Sequence, residues 1–162
     1  MTRKGDKTMH TFRILVVDDE ADFLETIVNR LNKRKLDARG VPSGEAALDV
    51  LKEELYDVVL LDIKMPGGMD GIEALREIKR IQPLAEVLLL TGHASVETSI
   101  EGMKLGAFDY LLKPMKFEDL LAKLAQAFEK KATHDKKIRD AKIQELIRYP
   151  SRVFEQERQE KK

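Results

Sequence analysis

What the chain lacks narrows its chemistry first. It has no cysteine, so a disulfide framework and a thiolate metal site are excluded, and a reducing cytoplasm suits it. Charge of one sign is not in excess: 29 basic residues balance 29 acidic ones. No global field then calls for direct contact with nucleic acid, and no acidic surplus points to disorder, so any charge-dependent function has to be local. Apolar runs stay well below the roughly 18 residues that cross a bilayer. Met1 to Thr11 are polar and charged, without the apolar centre of a secretion signal. A soluble cytoplasmic protein with no membrane insertion is expected. There is also no internal repeat, no low-complexity segment and no Gly-x-Gly-x-x-Gly after the first apolar run. Acidic residues stand there instead, which would repel a dinucleotide's pyrophosphate.

What is present is an alternation. The 162 residues allow one domain with a sizeable core and a small remainder. Strands are expected at Phe12 to Val17, Leu36 to Val41, Asp57 to Leu61, Glu86 to Leu90 and Phe108 to Leu112. Between them lie segments of helical period, such as Phe23, Leu24, Ile27, Val28 and Leu31. Ser43 and Ser95 stand as N-caps, Gly71 opens a helix that stops near Pro83, and Gly106 is placed for a left-handed helix end. A last helix starts at Phe117. Five strand–helix units in series predict an α/β fold: a doubly wound, five-stranded parallel sheet with helices on both faces. Periodicity alone leaves the strand order open.

The strand exits carry the chemistry. In a parallel sheet they share one edge, outside which such folds bind their ligands. The first strand ends in Asp18-Asp19-Glu20, the third in Asp62, the fourth in Thr91-Gly92 and the fifth in Lys113-Pro114. Asp18-Asp19-Glu20 alone would read as an acidic helix start favoured by the macrodipole. With Asp62 at the neighbouring exit, three carboxylates crowd together, and a hard cation relieves their repulsion. Mg²⁺ suits oxygen donors of this kind. Lys113 adds a point charge for a phosphoryl oxygen and Thr91 a hydroxyl donor. These are the parts of phosphoryl transfer to a carboxylate nucleophile, Asp62. The histidines at positions 10, 93 and 134 are scattered and lack ligand spacing.

Taken together, Asp18-Asp19-Glu20, Leu61-Asp62-Ile63-Lys64-Met65-Pro66, Met69-Asp70-Gly71, Thr91-Gly92 and Phe108-Asp109-Tyr110-Leu111-Leu112-Lys113-Pro114 resemble a response-regulator receiver domain of two-component signalling, of the chemotaxis-regulator type. The resemblance covers roughly Phe12 to Lys131 and implies a flavodoxin-like sheet with strand order 2-1-3-4-5. It implies that Asp62 accepts a phosphoryl group from a sensor histidine kinase or a phosphotransfer protein in a phosphorelay. Asp19 and Asp62 would hold Mg²⁺ directly, Asp18 partly through water, and the Lys64 carbonyl would complete the set. Thr91 and Lys113 would bind phosphoryl oxygens, Tyr110 would act with Thr91 as a switch, and the bond before Pro114 would be cis. Such a domain is a signalling switch that catalyses only its own phosphorylation and dephosphorylation. Its fourth helix, fifth strand and last helix would present a changing face to a downstream protein or to a second copy.

One departure concerns the loop after Asp62. Two glycines, Gly67 and Gly68, stand between Pro66 and Met69 where the family usually has one residue, so a looser loop around an intact site is expected. An aspartate-nucleophile phosphatase is disfavoured, because Lys64 occupies the place of its second Asp. Residues 1–11 read as an N-terminal extension and 12–131 as the receiver. Residues 132–162 form a charged, helical C-terminal extension with a thin apolar stripe at Ile138, Ile143, Leu146 and Ile147. That extension is too short for an output domain, and no output domain is expected in this chain.

Overall fold

The densest apolar run, Val58-Val59-Leu60-Leu61, is the centre of the sheet because neither of its faces meets water. In the computed structural model, which describes residues 11–92 and 96–148, β3 (Val58–Asp62) is buried at every position. β4 (Glu86–Thr91) is likewise buried throughout, as parallel strands covered on both sides must be. β1 (Arg13–Val17) completes the interior, and β2 (Asp37–Val41) and β5 (Asp109–Leu112) form the edges. The exposed positions on β2 and β5 are those that meet solvent at an edge. All pairings are parallel and the order is β2-β1-β3-β4-β5. The fold expected from the sequence is therefore the one observed. Expectations placed on His10, His93, Ser95 and residues from 149 onward lie outside the described residues.

Alternation along the strands sorts the core into two layers. Leu15, Val17, Val59, Leu61, Val87 and Leu89 face one way, packing with Ala47 and Leu51 of α2 (Gly44–Glu53) and Leu75 and Ile78 of α3 (Gly71–Ile81). Ile14, Val16, Val58, Leu60, Leu88 and Leu90 face the other way. They meet Ile27 and Leu31 of α1 (Ala21–Lys33) and Phe117, Leu120 and Leu124 of α5 (Phe117–Arg148). Each such aliphatic side chain contributes about 1.5–3 kcal/mol on burial. On α4 (Val96–Lys104), a Cβ on Gly102 would lie 2.4 Å from Leu89 Cδ1, so the helix sits directly on β4.

Helix ends follow local chemistry. Ser43 Oγ accepts the Ala46 N–H at 3.1 Å and Asp70 Oδ1 accepts the Glu73 N–H at 2.8 Å, capping α2 and α3. After α4, Gly106 takes φ +101°, and the Ala107 N–H returns to the Gly102 carbonyl at 3.0 Å. The chain divides into two compact units, one through Phe128 and one from Glu129. In the second, Lys131 pairs with Asp135 at 2.9 Å and the Thr133 hydroxyl donates to the Glu129 carbonyl at 2.9 Å. Ile143, Leu146 and Ile147 there are exposed.

Candidate functional site

The site grows out of the ends of β1 and β3, the adjacent strands at which the sheet order reverses. Asp62 ends β3 and is 4% exposed. The backbone beyond it is pinned: the Ile63 N–H donates to the Leu90 carbonyl and the Gly71 N–H to the Ile63 carbonyl, each at 3.0 Å. The Lys64 N–H points back at Asp62 Oδ1 from 3.4 Å, while the Lys64 side chain lies in solvent. Gly71 is required where it stands, since a Cβ would come within 2.6 Å of the Asp62 carbonyl oxygen and 2.5 Å of Ile63 Cα.

Across the gap, Asp18 is fully buried and Asp19 exposed. Asp18 is locked at both oxygens: Oδ1 accepts the Glu20 N–H at 2.9 Å, at the start of α1, and Oδ2 accepts from Lys113 Nζ at 2.5 Å. That ammonium also stands 3.7 Å from Asp62 Oδ2. One carboxylate oxygen from each of Asp18, Asp19 and Asp62 lies within 4.8 Å of the others. Four charged groups from three strand ends far apart in sequence thus meet at one sheet edge.

Burial, and after it the Asp18 charge, pushes the Asp62 carboxyl up to about 6, against the pull of Lys113. Burial and a like charge nearby both disfavour the ionised carboxyl, and a hard cation beside it would relieve that cost. Three carboxylates and one ammonium leave the cluster net negative, and all its free donors are hard oxygens. The residues therefore fit Mg²⁺, with Asp19 and Asp62 offering the less committed oxygens.

Other expected residues take these places. Thr91 ends β4, buried, one position beyond Leu90, the register partner of Asp62. Its carbonyl accepts the Lys113 N–H at 2.7 Å, which ties the exit of β5 to that of β4. The Lys113–Pro114 peptide bond is cis. Tyr110 sits on edge strand β5 and is 40% exposed. Met65 is buried and Met69 packs against the core, as loop-anchoring residues.

Two contributors escaped the sequence. Phe23, legible only as part of the apolar stripe of α1, lies under the Lys113 ammonium at 4.1 Å from the ring centroid. Glu45, in the first turn of α2, accepts the Met69 N–H at 2.7 Å, a bond that holds its carboxyl below the usual range. The glycine-bearing loop is thus tied to α2 beside Gly67, which takes φ +89°. Neither partner is near the other in sequence, so no local pattern announces the contact.

A cluster of three carboxylates around a half-buried lysine, at the carboxyl edge of a doubly wound parallel sheet, defines the class. The chain belongs to the response regulator receiver domain family, whose model matches residues 14–125. Among curated proteins it is 41% identical over 114 residues to the transcriptional regulatory protein ZraR of Escherichia coli K12, covering 70% of this chain and 26% of ZraR. It is 38% identical over 108 residues to the regulatory protein AtoC of the same organism, covering 67% of this chain and 23% of AtoC. The chain thus spans about a quarter of the length of these relatives. Among solved structures, a CheY-like receiver domain protein from Methanospirillum hungatei superposes with a TM-score of 0.74 at 28% identity, over 77% of this chain and 99% of that one. A receiver domain protein from Clostridium thermocellum gives 0.71 at 37% identity, over 75% and 98%.

Proposed function

We infer that this receiver domain is switched by phosphorylation of Asp62. The observation that carries the reading is the buried Asp62 carboxylate, with Asp18 and Asp19 beside it and the Lys113 ammonium 3.7 Å away. The donor would be the phosphohistidine of a sensor histidine kinase or a phosphotransfer protein. An Asp62 oxygen attacks phosphorus, the P–N bond breaks with its electrons returning to the imidazole, and an acyl phosphate remains on Asp62. Mg²⁺ held by Asp19 and Asp62, with Asp18 behind them and the Lys64 carbonyl as a further donor, would supply charge neutralisation between carboxylates and phosphoryl oxygens. Lys113, now spent on Asp18, offers its remaining donors to a phosphoryl oxygen, and the Thr91 hydroxyl offers another.

The output is a population shift. A phosphoryl group on Asp62 draws Thr91 and Lys113 toward it, and Tyr110 on β5 follows Thr91. The exposed side chains Ile100 and Met103 on α4 and Tyr110 and Leu112 on β5 belong to the face that a downstream protein or a second copy reads. The shift cannot exceed the partner's difference in affinity for the two states. Incubation with Mg²⁺ and acetyl phosphate, followed by intact-mass analysis, tests the reading. Wild type gains one phosphoryl mass and Asp62→Asn gains none; labelling of the variant would overturn the assignment.

A further inference from the structure

The Lys113 side chain is only 15% exposed and faces two carboxylates that compete for it, Asp18 at 2.5 Å and Asp62 at 3.7 Å. A lysine ammonium is a compact charge on a flexible stem, so something besides Asp18 has to keep it within reach of Asp62. Among the described residues, the ammonium also meets the Phe23 ring, 4.1 Å from Nζ. Phe23 is half-buried on α1 and packs against the core layer beneath that helix, so its ring is itself held in place.

We propose that Phe23 is a positioning residue, whose ring face steadies the Lys113 ammonium at the acceptor carboxylate while leaving its charge and donors unspent. The choice of a ring has a physical reason. A further carboxylate would cancel the charge, and a carbonyl would consume an N–H needed for a phosphoryl oxygen. The negative face of an aromatic ring attracts the cation through its quadrupole, takes no proton, and excludes water that would weaken the attraction. Lys113 then stands between Asp18 and the ring, ready to pivot toward a group added at Asp62. This role rests on the phosphoacceptor reading of Asp62.

The test keeps shape and changes only the ring's electrostatics. Pentafluorophenylalanine at position 23 matches phenylalanine in outline but reverses the quadrupole, while Phe23→Tyr keeps a negative face. Initial rates of adduct formation are measured by intact mass with Mg²⁺ and acetyl phosphate. Alongside, the chemical shift of the Lys113 Cε protons is read in the metal-free chain, where a ring below the ammonium moves them upfield. The expected result is an upfield Cε shift in wild type, a rate loss of roughly tenfold with the fluorinated ring, and recovery of most of the rate in Phe23→Tyr. Equal rates for all three chains, with wild type labelled normally, would overturn the role of Phe23 and leave Asp62 standing. No adduct on wild type would instead overturn the acceptor reading, and this role with it.

Discussion

At the residue scale, Asp62 is a carboxylate kept in surroundings that disfavour its charge. Its folded pKa is raised to about 6 from 3.8, so between these values the folded state binds more protons than the unfolded one, and stability falls as pH rises. The stabilising proton is fully present below the unfolded value and lost through the folded one. Asp62→Asn is therefore expected to stabilise the metal-free chain at pH 7.5 by on the order of 2 kcal/mol. The gain should vanish below about pH 4. Urea melts at both pH values check it, and a variant less stable than wild type at pH 7.5 would contradict it. Lys113 works in the opposite sense. Removing it by Lys113→Met leaves Asp18, fully buried, without its cation, and a loss of roughly 3 kcal/mol is expected in the same melts.

At the element scale, the setting of Asp62 depends on how the loop between β3 and α3 is held. The Gly71 end is fixed by close backbone approach, where a Cβ would lie 2.5 Å from Ile63 Cα. Gly71→Ala is expected to destabilise the fold and to slow adduct formation, because neither neighbour is a flexible side chain that can give way. Gly67 at φ +89° has open space around it, so Gly67→Ala should cost only about 1 kcal/mol of backbone strain and spare the adduct. The Met69 end depends on Glu45. Glu45→Ala should raise amide exchange at Met69 by roughly tenfold, and an unchanged rate would mean the carboxylate does not hold the loop.

These elements also show what sequence conveys. Val58 to Leu61 announce a buried strand by composition alone, Ser43 announces its cap, and Gly106 its turn. Asp18, Asp19, Asp62 and Lys113 were legible because parallel strands must deliver their exits to one edge. Phe23 and Glu45 were not, because each acts through a contact that only the folded chain creates. The end of β3 was read one residue short: Asp62 itself belongs to the strand, which is why it is held so firmly.

At the scale of the whole molecule, one sheet edge gathers charges that would repel in any open chain, and the two core layers supply the rigidity that keeps them together. A divalent cation that binds only the folded state stabilises it by mass action. Mg²⁺ should therefore raise the melting temperature at pH 7.5 and have little effect near pH 4, where the carboxylates are protonated. Equal shifts at both pH values would place the ion elsewhere. The central claim, that Asp62 carries the phosphoryl group, is tested most directly by trapping it. Chain labelled with Mg²⁺ and acetyl phosphate is reduced with borohydride, which converts an aspartyl phosphate to homoserine, and its peptides are mapped by mass spectrometry. Homoserine at position 62 is predicted; homoserine at position 18 or 19, or an unaltered Asp62 in a chain that had gained phosphoryl mass, would contradict it.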